Sequence, residues 1–130
     1  MASWNEMKTL INKEYTVSRD DGNSITMVFD VGDGRSQLVL VSLAKNADTG
    51  EEWLQISSPI GKAEELNLKR AAEMACSYLC GGIVVEADHA LMLHSAPLAN
   101  LDTNEFKRPL SVVLGGADAI EKELLGVDKF

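Results

Sequence analysis

The sequence predicts an α+β fold, a mixed-order sheet of antiparallel hairpins with helices segregated around it. Three observations carry this. Apolar side chains alternate strictly through Ile25, Met27, Phe29 and Val31, as a half-buried strand requires. Turn-forming residues such as Asp33 and Gly34 separate the extended runs. Apolar residues recur at helical spacing near the start of the chain, after Pro59 and near the end. The predicted order is α-β-β-β-β-α-β-β-α in one domain over residues 1–130.

Ser3 followed by Glu6 forms a capping box, and Trp4, Met7, Leu10 and Ile11 then mark a short amphipathic helix through Lys13. Tyr15 to Arg19 is extended, and Asp20, Asp21, Gly22 and Asn23 supply the turn into the alternating strand. After Asp33 and Gly34, the run Leu38 to Leu43 is apolar on both faces, which predicts an interior strand with cover on its second face. Asn46 to Gly50 is a loop, and Trp53, Leu54 and Ile56 predict a fourth strand that ends before Pro59.

From Ala63 to Cys80 the pattern is helical, with Glu64 and Glu65 in the first turn and Gly81 and Gly82 as the stop. Ile83 to Asp88 and Ala90 to Ser95 predict a second hairpin, and Leu98 to Leu101 a connecting loop. Asp102 with Glu105 caps a closing helix whose stripe is Phe106, Leu110, Val113, Ala117, Ile120 and Leu124, stopped near Gly126. That stripe predicts packing on the sheet with Val113 and Ile120 in the core. Pro109 predicts a kink or break. Gly115 and Gly116 either permit close backbone approach or are a tolerated weakness of about 1 kcal/mol each.

Twelve basic against twenty acidic side chains give a formal charge of −8, which disfavours nucleic acid and anionic membranes as partners. No basic-then-apolar leader and no run of about 18 apolar residues is present, so a cytoplasmic protein is expected. Cys76 and Cys80, the two cysteines, are spaced neither as a redox pair nor as half a structural zinc site, and read as small apolar residues.

The stretch GIVVEADHALMLHSAPLANLDTNEF from Gly82, followed by ADAIEKELLGVDKF, resembles the C-terminal half of YbjN-like and type III secretion chaperone-like domains. The resemblance rests on the hairpin before His94, the link from Pro97 to Leu101, and the ending Ala117, Asp118, Glu121, Leu125, Gly126, Asp128 and Phe130. It covers roughly the last fifty residues, with the first half matching in element order. It implies a small acidic domain, usually dimeric, and for the secretion chaperones a role in holding segments of client proteins.

Candidate chemistry is sparse. His89 and His94, with Glu86 and Asp88, invite an enzyme or metal-site reading as the alternative to a binding module. On a continuous strand, residues five apart point to opposite faces, which argues against it. No nucleophile elbow, P-loop or dinucleotide-binding glycine motif is present, so the expectation is a non-enzyme with no cofactor and a protein or peptide client.

The second helix predicts a homodimer. Leu68, Ala72, Ala75 and Leu79 centre an apolar arc that Met74, Tyr78, Cys76 and Cys80 widen to about 240°, against the roughly 100° stripe that one sheet covers. Leu68, Ala72, Ala75, Cys76 and Leu79 are therefore the expected interface, unless loops or other helices of the same chain supply the cover.

Overall fold

The computed structural model describes residues 3–125. The chain runs α1 (Trp4–Glu14), β1 (Val17–Asp20), β2 (Ser24–Gly32), β3 (Arg35–Lys45), β4 (Glu52–Lys62), α2 (Leu68–Ala75), β5 (Gly82–Glu86), β6 (His89–Pro97) and α3 (Thr103–Leu125). The fold class and element order are those the sequence predicts. The expected stop at Gly126, and the resemblance to the ending Gly126, Asp128 and Phe130, lie outside the described residues.

One antiparallel sheet has the order β1-β2-β3-β4-β6-β5. Its inward positions pair Ile25 with Val41, Met27 with Val39, Val41 with Ile56, Ser58 with Met92, and Ile83 with Met92. The apolar ones among these share one core with Trp4, Met7 and Ile11 of α1, Ala71 and Ala75 of α2, and Phe106, Leu110, Val113, Ala117 and Ile120 of α3. All three helices thus pack on the same face of the sheet. Val113 and Ile120 are fully buried.

Local chemistry sets the ends of the elements. Ser3 caps α1 by accepting from the Glu6 amide, and the Trp4 indole donates to the Gly22 carbonyl at 2.8 Å, tying α1 to the first hairpin. The β2–β3 turn carries positive φ at Asp33 and Gly34, and the β5–β6 turn at Ala87 and Asp88, the two left-handed positions of a tight hairpin that follows the sheet's twist.

Four expectations are corrected. First, β4 runs through Pro59 to Lys62. The ladder shifts register between Pro59 and Gly61, so the missing donor falls at an irregularity, and the Pro59 carbonyl accepts from Gln37 Nε2 at 2.8 Å. Second, the long helix from Ala63 to Cys80 is a single 3₁₀ turn at Ala63–Glu65 followed by the eight-residue α2. Asn67 caps α2 by accepting from the Arg70 amide, and the Ser77 hydroxyl takes the Met74 carbonyl just past the helix end.

Third, α3 is one helix through Pro109, with seven buried residues along it. Packing on the sheet outweighs the lost donor. Fourth, nothing in the described chain covers the second face of β3: Leu38 and Leu40 point away from the helices and are partly exposed. The glycine pair divides between its two readings. A Cβ on Gly116 would stand 2.7 Å from Met92 Sδ, so this residue lets α3 approach β6, whereas one on Gly115 would meet open space.

Candidate functional site

The residues of the enzyme alternative do not converge. Glu86 and His89 flank the β5–β6 turn as an outward-facing pair, and Asp88 sits in the turn with its carbonyl accepting from the Ala63 amide at 2.8 Å. His94 lies five residues along β6 on the opposite face, paired in register with Ile56. There it lines a groove of about 470 Å³ with Ala96, Leu101, Asp102, Arg108 and Pro109. Burial pushes its imidazole below the ordinary 6.5, favouring the neutral ring.

The two carboxylates of this groove are engaged in capping α3. Asp102 accepts from the Glu105 amide at 2.7 Å, and Glu105 accepts from the Asp102 amide at 3.0 Å. Among the described residues no three His, Cys, Asp or Glu side chains stand together as a metal would need. Burial pushes the Cys80 thiol up, away from reactive thiolate, and both cysteines are free.

Exposed apolar side chains gather beside α2. On α2, Ala71 and Ala75 turn inward, with Ala75 only 6% exposed, so Ala75 packs against its own chain. Leu68, Ala72 and Cys76, spaced four apart, face outward, and Leu79 beyond the helix is 97% exposed. Beside α2 runs β5, where Val85 is 53% exposed.

β5 forms one edge of the sheet and β1 the other, and the two are unlike. β1 is four residues long, irregular between Val17 and Arg19, and carries Arg19 and Asp20; Asp20 pairs with Lys8 at 3.1 Å and Arg19 with Asp21 at 2.9 Å. Charge and a bulge guard such an edge against further pairing. β5, Gly-Ile-Val-Val-Glu, has a regular register and one charge, Glu86 at its turn end, and its ladder runs on one side only, to β6. Sequence reasoning put Leu68, Ala72, Ala75, Cys76 and Leu79 on one helical arc, whereas Ala75 turns inward and Cys76 and Leu79 lie past the end of α2; the β5 edge it did not read. Strand order, which no local pattern encodes, decides which strand is outermost.

A six-stranded antiparallel sheet backed on one face by three helices, in this order, defines the type III secretion chaperone-like α+β class. One chain in the structure of the HopA1-SchA chaperone-effector complex superimposes with a TM-score of 0.62 over 89% of this chain and 93% of its own, at 16% identity. That likeness is one of fold. No family model matches the sequence, and no curated protein matches it. Among the described residues no helix is long and apolar enough to cross a membrane.

Proposed function

We propose that this chain is a non-enzymatic, cytoplasmic, homodimeric module of the YbjN-like and type III secretion chaperone-like kind, which holds a segment of a client protein. The observation that carries the proposal is the unguarded β5 edge lying beside the outward apolar stripe of α2. Both would cost solubility in a monomer that had no use for them.

Two copies of this surface suit each other. Antiparallel pairing of β5 with its copy about a two-fold axis sets Val84 beside Val84, and Glu86 beside Gly82, so the strand's one charge never meets itself. Leu68, Ala72, Cys76 and Leu79 then lie near the junction, with Ala75 behind them as the packing that holds α2 in place. Support for the client role comes from the fold, which is shared with a chain in a chaperone-effector complex.

Sedimentation at micromolar concentration tests the dimer. The unmodified protein should sediment as a dimer, and the pair of substitutions Leu79→Arg and Val85→Lys should give a folded monomer. A protein that is monomeric from the outset refutes the pairing. Affinity capture from native cytoplasm tests the client role; turnover of a small molecule without any co-purifying protein would favour the enzyme reading instead.

A further inference from the structure

The chain contains two Asp-Gly steps, Asp21-Gly22 and Asp33-Gly34, both exposed and each lying between two strands. At such a step the glycine nitrogen, which no side chain shields, can close a ring onto the preceding carboxyl carbon. The two steps differ in what holds those atoms. The Gly22 amide donates to Asp20 Oδ1 at 2.8 Å, and Arg19 Nε holds the Asp21 carboxylate at 2.9 Å. The Gly22 carbonyl also takes the Trp4 indole and the Lys8 ammonium. At the other step, no hydrogen bond or ion pair among the described residues engages the Gly34 amide or the Asp33 carboxyl. Asp33 sits at φ 54°, a conformation that L residues adopt at a cost, and the space around Gly34 is open.

We infer that Asp33 is a site of spontaneous modification, where the folded chain rearranges to isoaspartate while Asp21 is spared. The Gly34 nitrogen attacks Asp33 Cγ. The N–Cγ bond forms and a carboxyl C–O bond breaks, and that oxygen leaves as water with its own proton and the amide proton, giving a cyclic imide. Solvent water then cleaves the imide bond to the Asp33 main-chain carbonyl carbon, so that the chain runs on through Cβ and Cγ. Nothing is oxidised or reduced, and water is the one co-reactant.

The contacts decide between the two steps. Attack at Asp21 requires the Gly22 amide to leave the Asp20 carboxylate, an acceptor that this same hydrogen bond holds below the ordinary carboxylate range, and requires the Asp21 carboxylate to come away from Arg19. Asp33 and Gly34 have no such contacts to break. The product also changes the fold locally. The rearranged turn is longer by a main-chain carbon, whereas the closing pair Gly32 and Arg35 fits a two-residue turn. Arg35 is the guanidinium that holds Asp118 and Glu121 of α3, so an aged turn loosens that hold.

The test incubates the full chain at physiological temperature, labels it with the methyltransferase that marks isoaspartate, and locates the labelled peptides by mass spectrometry. Label should gather at Asp33 about tenfold or more faster than at Asp21, the factor expected when a hydrogen bond to a charged group must break first. In urea, where both steps lose their contacts, the two should label alike. Asp33→Gly keeps a turn suited to left-handed positions and should lose the signal, whereas Asp20→Ala frees the Gly22 amide and should raise the signal at Asp21. Aged protein should melt below fresh protein, and aged Asp33→Gly should not. Equal labelling of the two sites in the folded chain, the same preference for Asp33 in urea, no label at Asp33, or an Asp20→Ala chain whose Asp21 stays unlabelled would each overturn the inference. Label at Asp33 with unchanged melting would overturn its link to α3.

Discussion

At the scale of single residues, the neighbouring glycines of α3 separate two effects that share one sequence signal. Gly115→Ala relieves a backbone entropy cost against open space and should stabilise the fold by about 1 kcal/mol. Gly116→Ala forces a methyl toward Met92 and should destabilise it by about 1 to 3 kcal/mol. Urea unfolding of the two variants would show midpoints moving in opposite directions. His94 gives a pH signature. Its folded value is depressed by burial, so the unfolded chain binds a proton that the folded chain resists. The stability due to its neutral form is fully present above 6.5, the ordinary value, and is lost as pH falls through the folded value. His94→Gln should flatten this dependence, read as melting temperature against pH between about 7 and 5.

At the scale of elements, an ion cluster joins the start of β3 to the second half of α3. Arg35 reaches Asp118 at 3.1 Å and Glu121 at 3.3 Å, and the Glu121 side chain is fully buried. Arg35→Ala strips the guanidinium from a buried carboxylate and should cost about 3 to 5 kcal/mol, much of which Glu121→Gln in the same chain should restore. Denaturation of the single and double variants checks this.

The sequence could not announce this cluster, because its members lie more than eighty residues apart and only the antiparallel sheet brings them together. What was legible was local. Alternation in β2, the Asp33-Gly34 turn, both capping boxes and the period of α3 each arise within a few residues. The errors came where a local rule met a tertiary override. Pro59 argued for a strand end but sits at a bulge, Pro109 argued for a break but lies in a packed helix, and the alanine-rich run after Ala63 argued for a helix that Asn67 and Ser77 trim to eight residues. The candidate surfaces divide the same way. The outward placing of Leu68 and Ala72 follows from helical spacing, while the β5 edge exists only once the strand order is set.

At the scale of the whole molecule, net charge works against self-association. Two copies at −8 repel over a range that salt shortens to about 8 Å at physiological strength. The proposed contact between copies is nearly uncharged, so added salt removes repulsion without weakening attraction. The dimer should therefore tighten between low and moderate sodium chloride, measured by sedimentation equilibrium, whereas an interface built on ion pairs would loosen.

The placement of β6 between β4 and β5 also governs how the chain reaches this state. β1 to β4 form a meander in which each strand pairs with its predecessor, and β5 and β6 form a hairpin across a two-residue turn. Both assemblies are local and close cheaply. The β4–β6 ladder, from Trp53 opposite Pro97 to Lys62 opposite His89, instead spans the α2 crossover, and it is where hairpin and meander must find each other. Refolding kinetics should carry that signature. Met92→Ala in β6 should slow the folding limb by a larger factor than Val39→Ala, whose contacts lie inside the meander, because the meeting of two preformed sheets, not the making of either one, is the step the chain waits for.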